Sequence, residues 1–199
     1  VDGTVWAWGD NTYGQLANTA TSIPQKAAGL SNVVQIAAGA RFSLALNAQG
    51  QLYAWGDNTY GQLGLGTIGG TKGTPQFVTS MSNPTKINAG QEFAAALKNN
   101  SLYVWGSDNT GQLGNGSPSA SQGTPKAVAL TGIYDFVVGP RHALAYTPQS
   151  SSQWYAWGSN NSGQLGTGDV GTRTSPTPVV GASFLGVSGL FASATSTLK

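Results

Sequence analysis

The sequence predicts an all-β protein, a β-propeller of four-stranded antiparallel blades, and three observations predict it. The first is a repeated sentence: AWGDNTYGQL occurs at 7–16 and again, letter for letter, at 54–63. Two paraphrases follow, VWGSDNTGQL at 104–113 and AWGSNNSGQL at 156–165. The second is a common beat. Trp8, Trp55, Trp105 and Trp157 step by 47, 50 and 52 residues. Gly39, Gly90 and Gly139 close VVQIAAG, PTKINAG and YDFVVG, and Gly189 closes a degraded version, FLGVSG. A period near 50 residues marks a repeat architecture. The third is local texture: short β-branched and aromatic runs bounded by Gly, Asn and Pro, with no 3.6-residue periodicity, read as strands rather than helices.

Each element of a unit follows in order. Residues 33–38 form a first strand, and 42–46 (FSLAL) a second after a Gly-containing turn. Residues 52–55 (LYAW) form a third strand after the polar hairpin NAQGQ. A Gly/Thr-rich loop then leads to a fourth strand after a proline, at 76–79 in that unit and 126–130 in the next. The ends complement each other. Residues 5–10 read as a third strand and the segment near Lys26 as a fourth, while 184–188 and 192–198 read as a first and a second. The chain of 199 residues is thus one propeller domain, or a fragment of a larger one, with repeats at about 1–50, 51–100, 101–152 and 153–199. It holds three complete blades and two half-blades. The halves either join to close a four-bladed ring, which removes two open sheet edges, or pair with sequence or subunits beyond this chain.

The repeated positions have structural work. The four tryptophans can each bury roughly 150–250 Å² between neighbouring blades. Gly14, Gly61, Gly111 and Gly163 permit turns of positive φ. The Gln after each is expected to bond loop backbone, and the Leu to plug the blade interface. Asn11, Asn58, Asp108 and Asn160 suit side-chain-supported turns.

The combined pattern, WGDNxxGQLGxG, a following proline, V-x-x-I-x-A-G and S-L-A-L, resembles the regulator of chromosome condensation repeat family across essentially the whole chain. The resemblance implies a propeller, usually of seven blades, against four repeats here. A His follows the Gly segment in that family; here it occurs once, as His142, where the other repeats have Phe42, Phe93 and Ala192. Members of the family act as guanine-nucleotide exchange factors and chromatin binders. That implies an alternative role as an intracellular regulator of a small GTPase or a chromatin-binding protein, but fold does not by itself carry function.

Composition narrows the chemistry. One His, one Glu and no Cys leave nothing to assemble a titratable catalytic cluster, a disulfide framework or a thiolate metal site. Asp10, Asp57 and Asp108 recur at or beside one repeat position and read as turn residues. Gly64–Gly69 matches GxGxxG, but no helix follows to present its amino end to a phosphate. No enzyme activity, cofactor or metal is expected. The nine Lys and Arg are scattered singly, which is not a nucleic-acid footprint, and no apolar run is long enough to span a bilayer. No signal peptide is visible, and a chain that does not begin with Met reads as a mature or excised piece of something longer.

In an antiparallel meander, the first-to-second and third-to-fourth turns share one face of the disc. The short tips carry Arg41, Glu92, Arg141 and Phe191, with His142 beside them, which reads otherwise as a capped or core-edge histidine. The long loops are 65–73, 115–123 and 167–175. Variable loops on a rigid scaffold commonly carry recognition, so these tips and loops are the candidate partner-binding surface. Tyr13 and Tyr60, in the repeated turn, are expected to pack between blades. The sequence thus points to a non-enzymatic interaction or structural module with a protein or glycan partner. Low charge and Asn/Thr/Ser/Gly-rich loops suggest a secreted, cell-surface or virion (phage-like) protein. Self-association or membership of a larger assembly is left open.

Overall fold

The computed structural model describes all residues except 1, 20, 117, 119, 149–152, 181–190, 193–196 and 199, and of 191–192 and 197–198 the backbone only. The described elements are strands throughout. They are β1 (Trp6–Gly9), β2 (Thr21–Lys26), β3 (Val33–Ala38), β4 (Phe42–Asn47), β5 (Gln51–Asp57), β6 (Thr71–Ser82), β7 (Lys86–Ala89) and β8 (Phe93–Lys98). Then follow β9 (Ser101–Gly106), β10 (Gln122–Ala127), β11 (Asp135–Val138), β12 (His142–Thr147), β13 (Gln153–Gly158), β14 (Arg173–Pro178), β15 (Phe191–Ala192) and β16 (Thr197–Leu198).

Three antiparallel sheets of consecutive strands, β3–β6, β7–β10 and β11–β14, are the complete blades; β1–β2 and β15–β16 are two-stranded. The propeller of three blades and two partial ones is therefore as the repeat predicts. One expectation needs correction at the ends. Among the described residues β1 pairs only with β2, and β15 only with β16. The expected single strand over 192–198 is instead a pair of two-residue strands facing each other; the expected strand at 184–188 lies outside the described residues.

The fourth strands also begin earlier than expected, at Thr71 and Gln122, ahead of the proline. The reason recurs in every repeat. Gly56 pairs with Lys72 but Ala54 with Gln76, so two residues of β5 oppose four of β6, and Pro75 sits in the irregularity. Pro24, Pro125 and Pro176 occupy the same place in β2, β10 and β14. A proline, lacking an N–H, is tolerated at a bulge on an outermost strand.

The core lies between consecutive sheets. Phe42, Leu44 and Leu46 of β4 pack with Ile87, Ala94, Ala96 and Trp105 of the next blade. Phe93, Ala95 and Leu97 likewise pack with Phe136, Ala143 and Trp157. Trp55, Trp105 and Trp157 are buried, contributing about 4–6 kcal/mol each of gross transfer free energy. The Trp55 indole Nε1 donates to the Gln15 carbonyl at 2.8 Å, Trp105 to Gln62 at 2.9 Å, and Trp157 to Gln112 at 3.0 Å. Each tryptophan thus reads the GQL turn of the repeat before it. Trp8 departs from the expected burial: it is 57% exposed, and among the described residues no GQL turn covers it as those of Gln15, Gln62 and Gln112 cover Trp55, Trp105 and Trp157.

Candidate interaction face

The repeated turn is built from its own side chains. Asn11 Oδ1 accepts the Leu16 N–H, Asn58 that of Leu63, Asp108 that of Leu113 and Asn160 that of Leu165, at 2.9–3.1 Å. The Gln side-chain oxygens accept the N–H groups of Tyr13, Tyr60, Thr110 and Ser162. Leu16, Leu63, Leu113 and Leu165 are buried plugs. Asp10 and Asp57 accept from the backbone and hydroxyl of Thr12 and Thr59, as turn residues should. The glycine is required for space as well as for φ. Gly61 has a φ of 79°, and a Cβ there would lie 2.6 Å from the Gly123 Cα at the start of β10 in the next repeat.

These turns bring the tips and long loops onto one face. The carbonyls of Arg41, Glu92 and Arg141 accept the N–H groups of Asp57, Ser107 and Ser159 at 2.9 Å, tying each tip to the start of a turn. Gly66 N–H donates to Gly123 O, and Gly116 N–H to Thr174 O, each at 2.8 Å, tying the first two long loops to the next repeat. Within the first loop, Asn58 Nδ2 donates to Thr67 O and Gly69 O. Asn160 Nδ2 does the same for Asp169 O and Gly171 O. Asp108 has no amide to donate, and Asn115 Nδ2 donates to its Oδ2 instead. The loops are anchored at their bases while residues 66–74 remain exposed.

The tips join laterally. Ala40 N–H donates to Gln91 O at 3.0 Å and Gln91 N–H to Pro140 O at 2.9 Å. Between them lies a depression of about 520 Å³ lined by residues 38–40, 89–91 and 138–140. Its lining carries no titratable side chain, so it offers shape and backbone polarity rather than acid–base chemistry. Arg41 and Arg141 are exposed at its rim and Glu92 is half-buried. Arg41 lies over the Tyr13 ring, 4.8 Å from its centroid, and Arg141 Nε donates to Gln91 Oε1 at 3.2 Å. Tyr13 and Tyr60 are half-buried, and Tyr13 supports an arginine that no sequence spacing links to it. Gln91 was likewise missed, since its repeat equivalents are Ala40 and Pro140.

His142 does not belong to this surface as a partner-binding candidate; it is the core histidine that the alternative reading expects. It is fully buried, and a Cβ on Gly139 would lie 2.2 Å from its Cε1. Phe42 and Phe93 stand over Gly39 and Gly90 in the same way. The ring three residues on fills the space of the missing side chain, which is why the segment ends in Gly. Burial lowers the imidazole pKa from 6.5 to about 4. The Phe191 side chain lies outside the described residues. Among the described residues no three His, Asp or Glu side chains are placed to hold a metal ion. No helix there is long and apolar enough to cross a membrane.

Comparison with known proteins agrees with this architecture. The model of the regulator of chromosome condensation (RCC1) repeat matches residues 2–46, 49–97, 99–146 and 153–198. The human E3 ubiquitin-protein ligase HERC2 is 34% identical over 184 residues, covering 86% of this chain but 4% of the ligase. The crystal structure of human WBSCR16 superposes with a TM-score of 0.80 at 24% identity, over 96% of this chain and 52% of that one. Prp20p from Saccharomyces cerevisiae, a structure described together with its binding to Gsp1p and histones, gives 0.78 at 22% identity, over 89% and 46%. The chain therefore spans about half of these solved propellers and a small part of the ligase.

Proposed function

The chain belongs to the regulator of chromosome condensation repeat family, and on that premise we propose that it is a non-enzymatic module that binds a protein partner through the face of tips and long loops. One observation carries this. The repeated scaffold consumes its own polar groups in holding three differing loops and the Arg41, Glu92 and Arg141 tips on one side of the disc. Rigid presentation of non-repeating loops is what recognition needs. The sparse charge and Asn/Thr/Ser/Gly-rich loops support a place on a secreted, cell-surface or virion protein, with a protein or glycan as partner.

A second reading, an intracellular regulator acting on a small GTPase or on chromatin, is favoured by the likeness to Prp20p, whose structure is described with Gsp1p and histone binding. Surface plasmon resonance separates the two. The immobilised chain is probed with Gsp1p, with histones and with a panel of cell-surface proteins and glycans. Saturable binding of Gsp1p or histones supports the second reading, and binding confined to the surface panel supports the first. Either must disappear when loops 65–73, 115–123 and 167–175 are replaced by Gly-Ser segments. Binding unchanged by that replacement would sink the assignment of the face.

A further inference from the structure

Asn-x-Ser triplets begin at Asn99, Asn115 and Asn160. A further frame, Asn83–Pro84–Thr85, carries the intervening proline that bars glycosyl transfer. Such triplets are common in a chain rich in Asn and Ser, so their setting in the fold decides what each can do. Asn160 is fully buried. Its Nδ2 donates to the carbonyls of Asp169 at 2.9 Å and Gly171 at 3.0 Å, and its Oδ1 accepts the Leu165 N–H at 3.0 Å. A substituent on that nitrogen would expel the loop it anchors. Asn115 Nδ2 donates to Asp108 Oδ2 at 2.8 Å, so its amide is latched to a buried carboxylate.

Asn99 is placed differently. Lys98 pairs with Ser101 across the two-residue turn that joins β8 and β9. Asn99 and Asn100 have φ of 49° and 59°, the left-handed conformation that a type I′ hairpin turn requires at both central positions. Both are exposed. The Asn100 carbonyl accepts the Ile133 N–H at 3.0 Å, which fixes the tip against the segment leading to β11. The Asn99 carboxamide, among the described residues, bonds no other group of the chain. In the corresponding hairpin between β4 and β5, Asn47 is buried, its Oδ1 accepts the N–H groups of Gln49 and Gln51, and its Nδ2 donates to Gln51 Oε1. One hairpin spends its asparagine on the turn, and the other leaves it to solvent.

We propose that Asn99 is an acceptor for an N-linked glycan. The assignment rests on the secreted or cell-surface reading of the module. Asn99 Nδ2 attacks the anomeric carbon of a sugar carried on a lipid pyrophosphate. The N–C bond forms as the C–O bond to the pyrophosphate breaks, the lipid pyrophosphate leaves, and one amide proton passes to a base of the transferase. Ser101 supplies the hydroxyl that completes the triplet. The fold uses neither amide hydrogen of Asn99, so no internal bond is given up. As a second-to-third turn of an antiparallel meander, the hairpin lies on the side of the disc opposite the tips and long loops. The glycan therefore leaves the proposed interaction face open.

Expression through a eukaryotic secretory pathway supplies the transferase whatever the natural location of the chain. Failure of the acceptor is thus distinct from failure of the location reading, which the binding panel decides. Intact mass and glycopeptide mapping should show one glycan, on Asn99, removed by peptide N-glycosidase. Asn99→Gln and Ser101→Ala should each abolish it with unchanged circular dichroism, while Asn115→Gln should leave it in place. A folded chain without a glycan on Asn99 overturns the proposal, as does a folded chain that carries it on Asn115 or Asn160 instead. Chain retained in the cell is mapped in the same way, and an unmodified Asn99 there overturns the proposal as well.

Discussion

His142 offers a quantitative test of how the repeat code fills its core. Its ring is buried over Gly139, and burial alone lowers its pKa from 6.5 to about 4. Between those values the unfolded chain binds a proton that the folded chain does not. Stability therefore falls as pH drops through this window and is level above it. The gap between 6.5 and about 4 corresponds to about 3 kcal/mol, of which about 2 kcal/mol is lost by pH 4.5. The pKa values of Asp2, Asp10 and Asp169 are lowered by hydrogen bonds from Thr4, Thr12 and Arg173 respectively. Their contributions are present above the ordinary value of 3.8 and fade only below it, so these three carboxylates add little between pH 7 and 4.5. Urea unfolding followed by fluorescence at both pH values should show the wild type losing about 2 kcal/mol. His142→Phe, which restores the residue found at 42 and 93, should lose under about 0.5 kcal/mol. Equal losses in the two proteins would refute a buried neutral histidine as the acid-sensitive group.

Three further outcomes are expected from equilibrium unfolding. Gly163→Ala places its Cβ with no described atom within 4 Å at a φ of 73° and should cost about 1–2 kcal/mol from backbone strain. Gly61→Ala, blocked 2.6 Å from the Gly123 Cα, should cost clearly more; equal costs would show that the turn, not the contact with β10, selects glycine. Trp105→Phe leaves the buried Gln62 carbonyl without its indole donor, a loss of about 1–3 kcal/mol before the packing change. Asp108→Ala should cost about 1–3 kcal/mol by orphaning the buried Leu113 N–H, and a double-mutant cycle with Asn115→Ala should show coupling. Additivity would mean that Asn115 does not serve Asp108.

The propeller was legible because each blade is specified four times over. Trp, Gly, Gln and Leu at fixed offsets are demanded by contacts between neighbouring repeats, and a demand that recurs leaves a period. Strand pairing order and the interblade core followed directly. What the period could not convey is which equivalent positions share a setting. Trp8 carries the same letters as Trp55 but is 57% exposed where Trp55 is 2%. His142 has the charge-bearing composition of a site residue, yet the equivalence with Phe42 and Phe93 shows it filling the space above a glycine. The early start of the fourth strands was hidden because proline reads as a strand boundary, whereas on an unpaired edge it marks only an irregularity in register.

On the proposed function, the polar groups of the repeated turn leave recognition to the non-repeating positions. In the repeated turn the Asn or Asp oxygen, the Gln oxygen and the Trp55, Trp105 and Trp157 N–H groups all have internal partners. Recruiting any of them to a ligand would leave a buried backbone group unpaired, at about 1–3 kcal/mol each. A partner can be held without that loss only by groups whose bonds are not part of the scaffold: the Arg41 guanidinium resting on Tyr13, Arg141, Glu92 and the exposed loop segments. On that reading, the repeat restricts binding by excluding its own residues from it. Specificity is then free to change with the loops without altering the blades that carry them.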